Sequence, residues 1–208
     1  PTAGTILLNG VDIREYDLAQ YRALVGSAFQ DFQIFSLSVE DNVAMGNAVW
    51  GGDPRAAALD ALARSGVAGR IGELPRGVDT TLTREFDEQG ANLSGGEAQK
   101  VAVARSFAKQ SSILLLDEPS SALDPIAEYR LYQNFIELCR GEDGQQKISA
   151  FISHRLSSAT VADSILLMQE GEITERGTHA QLMRLNGAYA SMFRKQAENY
   201  LMEEVRGA

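Results

Sequence analysis

Leu93-Ser94-Gly95-Gly96-Glu97 and Ile113-Leu114-Leu115-Leu116-Asp117-Glu118-Pro119 lie one helix-length apart, and together they set the fold class. The first can open a helix. Its two glycines let an anion approach the unpaired N–H groups of the first turn. It is equally S-x-x-E, a capping box in which Ser94 and Glu97 satisfy each other's backbone donors, and the sequence alone leaves both roles open. The second segment is a short apolar run ending in two carboxylates, as expected of a buried parallel strand that carries a Mg²⁺ site and a general base. Alternation along that strand sends Asp117 and Glu118 in different directions, one toward a hydrated metal ion and the other toward an attacking water.

Outward from this pair, strands and helices alternate. Thr5 to Asn9 with Gly10 reads as a strand and turn, Asp17 as a helix start, and Leu24 to Phe29 as a strand ending at Gln30. From Ser38 to Leu93 the chain is Ala-rich and helical, with a clear helix over Pro54 to Ser65 and breaks at Gly51-Gly52, Gly66 and Pro75-Arg76-Gly77. Then follow a helix Gly96 to Lys109, a strand Ser112 to Leu116, a helix Pro125 to Arg140, strands Ile148 to Ser153 and Ser164 to Gln169, and a terminal helical pair. Gly141 to Gln146 reads as a polar surface turn. The order predicts an α/β fold, a mostly parallel sheet covered on both faces, with a helical insertion.

Composition narrows the function. At 208 residues, 44% hydrophobic and 23% charged, the chain can bury one core. A net charge of −9 argues against nucleic acid as a partner. Cys139 has no internal disulfide partner, reads as a packing residue, and suits a reducing compartment. The longest aliphatic runs fall far short of the roughly 20 residues that span a bilayer.

Two further side chains stand where ligands bind in open α/β sheets. Gln30 and His154 each follow a strand, where an amide could touch metal and water and an imidazole could touch a phosphate, although either could be a plain surface residue. Asp124, with Pro125 behind it, is first of all a good helix N-cap. His179 falls in Thr178-His179-Ala180-Gln181, where capping is the expected role. A phosphate loop is missing. The lysines, Lys100, Lys109, Lys147 and Lys195, nowhere form G-x-x-x-x-G-K-[ST].

The order Gln30, Leu93 to Glu97, Asp117-Glu118, Ser121-Ala122-Leu123-Asp124 and His154 resembles the nucleotide-binding domain of an ABC transporter. Phe29-Gln30-Asp31, Phe35 to Val43, Glu88-Gln89-Gly90, His154 to Ser157 and Gly171 to His179 resemble the exporter type. The resemblance spans nearly the whole chain, though Glu97 stands where Gln is usual and Gln89 where a basic residue is common. It implies a P-loop NTPase-like fold, with 1–37 and 98–208 as a RecA-like core and 38–97 as a helical subdomain ending in the signature. It implies ATP and Mg²⁺ as cofactors, with Glu118, His154 and Gln30 catalytic and Asp117 and Gln30 at the metal. Ser94, Gly95, Gly96, Glu97 and Asp124 would serve the nucleotide. The implied partners are a transmembrane domain upstream in the same polypeptide and a second nucleotide-binding domain in a homo- or heterodimer, at the cytoplasmic face of the membrane.

By the same resemblance Pro1-Thr2-Ala3-Gly4 reads as a cut just after the Walker A helix. The fragment alone would be inactive, and a missing strand would lie beside the one bearing Asp117. Two rivals accompany this: a soluble ABC ATPase of the repair or chromosome class, and a non-catalytic regulatory ABC domain.

Overall fold

The computed structural model describes residues 1–45, 53–109, 111–140 and 147–206. The break at Gly51-Gly52 and the turn over Gly141 to Gln146 lie outside them. The described chain forms two compact units, Pro1–Ile152 and Ser153–Ala208.

The first unit opens on a hairpin of β1 (Leu7–Leu8) and β2 (Val11–Asp12). Asn9 and Gly10 form its turn with φ of 52° and 81°, the pair of left-handed residues that two-residue hairpins favour. Helix α1 (Leu18–Leu24) starts at Asp17, whose carboxylate accepts from the N–H groups of Ala19 and Gln20. It leads into β3 (Val25–Ala28). Helices α2 (Val39–Ala44), α3 (Pro54–Arg64) and α4 (Ala68–Gly72) make the helical insertion. Asp53 caps α3 and Pro54 occupies its first position, where a missing N–H costs nothing. Helix α5 (Gly95–Ala108), strand β4 (Ile113–Asp117), helix α6 (Pro125–Arg140) and strand β5 (Ile148–Ile152) complete the unit.

Strands β3, β4 and β5 pair in that order, all parallel, with Ala28, Leu116 and Phe151 in one row. The face carrying Gly26, Ala28, Leu114 and Leu116 is buried. Phe107 of α5 stacks on Phe135 of α6 with centroids 4.5 Å apart, and Tyr132 leans on Phe151. Cys139 packs at the edge of this core.

The opposite face departs from expectation. Leu115, Ile148 and Ile152 are 45%, 66% and 65% exposed, so apolar runs that read as buried on both sides are covered on one. Strand β4 has β3 on one side and β5 on the other, so no further strand can lie beside Asp117. Among the described residues β3 and β5 are the two outer strands of this sheet.

In the second unit α7 (Leu156–Ala159) precedes an antiparallel pair, β6 (Ile165–Gln169) and β7 (Glu172–Gly177), then α8 (His179–Leu185) and α9 (Ala188–Arg206). Leu156, Leu182 and Tyr189 form its core. Thr178 and Gln181 make a capping box, as expected. His179 Nδ1 lies 2.8 Å from the Tyr189 hydroxyl.

Candidate functional site

The first turn of α5 presents the signature segment. Ser94 Oγ accepts from the Glu97 N–H, and Glu97 Oε2 accepts from the Ser94 N–H at 2.8 Å, so the capping box is formed. The other Glu97 oxygen takes Arg70 Nε at 3.1 Å, tying the turn to α4. The Ser94 N–H, and secondarily its hydroxyl and Arg70, hold the Glu97 carboxyl below its usual value. Such a carboxylate stabilises the folded turn above the ordinary Glu range, about pH 4.3, and the contribution fades as pH falls from there.

Glu97→Gln keeps an acceptor for the box but loses the charge beside Arg70 and the helix dipole. At half-exposed sites this costs about 0.5 kcal/mol. We expect amide exchange in the first turn of α5 to quicken about twofold at neutral pH, with the difference closing below pH 4. A constant difference across that range would assign the effect to the cap rather than the charge.

The two glycines differ. A Cβ on Gly96 would stand 3.0 Å from the Ala122 carbonyl oxygen, whereas a Cβ on Gly95 would meet nothing within 4 Å. Gly96 is therefore small for the sake of its own chain. The packing of the described residues offers no such reason for Gly95.

At the carboxyl edge of the sheet, β4 ends at Asp117, which is half-buried. Glu118 does not continue the strand. Its φ is 47°, a left-handed conformation that costs a non-glycine residue about 1 kcal/mol and is concentrated at functional sites. The expected strand alternation of the two carboxylates is thus replaced by a backbone turn. The Glu118 N–H donates to the Ile152 carbonyl at 3.0 Å, and the Glu118 carbonyl accepts from the Ser121 N–H and from Gln99 Nε2, bonds that help hold that turn.

Gln99 was not among the candidates read from the sequence. It lies one turn into α5, only 2% exposed, and donates also to Ser121 Oγ at 2.9 Å while accepting from the Ala122 N–H at 2.8 Å. Its signal was helical phase. It shares a stripe with Ala102, Val103 and Ser106, all buried.

Gln30 is exposed two residues past β3, on the same sheet edge as Asp117 and Glu118. The chain beyond it is held to α5 by half-buried Arg105, which donates to the Gln33 and Asn42 carbonyls at 2.8 Å and lies 5.6 Å from the Phe35 ring centroid. Asp124 caps α6, accepting from the Ile126 and Ala127 N–H groups at 3.0 Å. These bonds, Ala127 first, lower its pKa. His154 falls in the second unit, exposed, with its carbonyl accepting from Gln196. One sheet edge therefore gathers Gln30, Asp117 and Glu118, with the signature turn joined to the same loop, while His154 belongs to the other unit.

The loop before the signature is also tied down. Arg76 pairs with Asp87, which accepts from the Gln89 N–H. A Cβ on Gly90 would collide with the Thr83 carbonyl oxygen. Phe86 at the tip is 81% exposed.

Comparison with known proteins agrees with this geometry. Residues 1–121 match the family described as ABC transporter. The subtilin transport ATP-binding protein SpaT of Bacillus subtilis is 36% identical over 208 residues, covering 95% of this chain and 31% of that protein. The ATP-dependent lipid A-core flippase of Chromohalobacter salexigens is 38% identical over 197 residues, covering 94% and 32%. A solved bacterial Atm1-family ABC exporter with ATP bound aligns with a TM-score of 0.80 at 35% identity, covering 94% of this chain and 32% of that one. The chain spans about a third of the length of these relatives. With a parallel sheet, a helical insertion and the signature turn in this order, and with more than half its length matched, the chain belongs to the ABC transporter family.

Proposed function

We propose that the chain supplies the signature-bearing part of an ATP-hydrolysing domain in an ABC exporter, coupling ATP binding and hydrolysis to transport across a membrane. The observation that carries this reading is the gathering of Gln30, Asp117 and Glu118 on one sheet edge, with the start of α5 bonded to the same loop. Residues 1–37 and 98–208 are the α/β core in this proposal, and 38–97 the helical subdomain.

Ser94, Gly95 and Gly96 close on the γ-phosphate of an ATP held by a second nucleotide-binding domain packed head to tail. Glu97 keeps the turn in shape and Asp124 fixes the start of α6. Within its own site Glu118 takes the proton of the attacking water, Gln30 orients that water, and His154 holds the γ-phosphate. Catalysis of this kind is positioning and electrostatics.

The residues suit Mg²⁺. Among the described residues no three His, Cys, Asp or Glu side chains converge on a metal, and Mg²⁺ needs no such cage, since it binds through one or two carboxylates with phosphate and water. Asp117 and Gln30 offer hard oxygens of that type. The ion, when bound, offsets phosphate charge.

Among the described residues no helix is long and apolar enough to cross a membrane. The membrane-spanning partner in this proposal is a domain upstream in the same polypeptide, met at the cytoplasmic face by the surface between Gln30 and Gly90, exposed Phe86 included. The relatives support this, being named as transport proteins, a flippase and an exporter.

A chain without a phosphate-cradling lysine, and with an open sheet face, is expected to bind Mg-ATP weakly and to show no measurable hydrolysis when made alone. Joined to its upstream segment it should gain solubility and activity together. Micromolar Mg-ATP binding by the isolated 208 residues in calorimetry would show that the phosphate site is built from other residues.

A further inference from the structure

Gln99 is a buried amide whose side-chain hydrogen bonds run to one short loop. Nε2 donates to the Glu118 carbonyl at 3.1 Å and to Ser121 Oγ at 2.9 Å, and Oε1 accepts from the Ala122 N–H at 2.8 Å. Both amide hydrogens and the oxygen are thereby engaged. Gly96, three residues earlier on α5, packs against the Ala122 carbonyl. The same five-residue loop holds Glu118 in its left-handed turn. That conformation persists only where surrounding bonds over-determine it.

We propose that Gln99 is a positioning residue, a clamp that locks the backbone of Glu118 to the signature helix, so that the signature turn and the hydrolytic carboxylate of one chain move as one body. This rests on the hydrolytic role proposed above for Glu118. Because the signature turn serves the partner's nucleotide while Glu118 serves its own, the clamp ties the geometry of one nucleotide site to occupancy of the other. Such ties run through packed side chains, hydrogen-bond networks and rigid elements. Losing one is costly in two ways: buried donors and acceptors go unpaired, and the loop gains freedom at the point where an error of about 1 Å costs about 10²-fold in rate.

The test is Gln99→Met, close in length and unable to hydrogen-bond, in the complete polypeptide. We expect kcat for ATP hydrolysis to fall at least about tenfold with KM for ATP within twofold, since binding is left alone. The Ala122 amide should exchange at least about tenfold faster. Combined with Glu118→Gln, the clamp variant should add little further loss, because both act on one group. Ser121→Ala removes one of the three bonds and should show the same pattern at smaller size. It serves as the probe if Gln99→Met does not fold.

Turnover within twofold of wild type in Gln99→Met, or losses that multiply in the double variant, would overturn the proposal. So would equal rises in KM and falls in kcat, the mark of general loosening. Unchanged turnover in Glu118→Gln alone would instead overturn the role given to Glu118. The two failures are separable, because Ala122 exchange reports on the clamp without any nucleotide.

Discussion

Glu118→Gln in the complete polypeptide is expected to lower ATP turnover by about 10²- to 10⁴-fold, the range for loss of a general base, while ATP binding stays within twofold. The exchange replaces one carboxylate oxygen with an NH2 group of nearly the same size, so the proposed proton acceptor goes while the shape of the side chain is kept. The bonds that define the turn belong to the backbone: the Glu118 N–H to Ile152, and its carbonyl from Ser121 and Gln99. They survive the substitution. A loss confined to kcat marks a group that acts in the transition state alone. Steady-state phosphate release within twofold of wild type would remove Glu118 from the role.

The conformation of Glu118 also marks where sequence reasoning stops. The apolar run before it is legible as a strand because it is short, bounded and rich in Ile and Leu, and β4 forms there as expected. Strand periodicity then predicts that the next side chain simply points the other way. Instead the chain turns left-handed, under the hold of a glutamine 19 residues earlier. A distant side chain fixing a backbone angle leaves no trace in local pattern.

Helix starts were legible at Asp17, Ser94, Asp124-Pro125 and Thr178 because capping is chemistry within three or four residues. Strand β7 was not. Glu172-Ile173-Thr174-Glu175-Arg176-Gly177 is polar and exposed along most of its length, and its pairing with β6 is fixed by the Glu170-Gly171 turn, both residues at positive φ. The open sheet face escaped for a third reason. Ile148 and Ile152 read as buried because they are apolar, and which neighbours cover a strand is not encoded in the strand.

Gly95→Asp is expected to act in opposite directions on the chain and on its assembly. Gly95 is the first residue of α5, with open space where a Cβ would stand. Glycine in a helix is costly in chain entropy, and an acid in the first turn complements the helix dipole, by about 0.3–1 kcal/mol. The isolated fold should therefore be as stable as wild type or slightly more so. A glycine at a helix position with room for a side chain is what the proposed close approach of a phosphate would require.

In the proposed head-to-tail arrangement an aspartate there places negative charge where the partner's γ-phosphate would approach the free N–H groups. In the nucleotide-binding domain completed by its upstream segment, ATP-driven dimerisation should be abolished, with turnover following it down, while melting and monomeric behaviour without nucleotide are preserved. Gly95→Ala, uncharged and small, should fall between, which separates charge from size. Gly96→Ala should instead disturb the fold, because its Cβ has to displace the Ala122 carbonyl from 3.0 Å. If Gly95→Asp dimerised with ATP as wild type does in light scattering, the turn would do no more than cap a helix, and the nucleotide role of Ser94, Gly95 and Gly96 would fall with it.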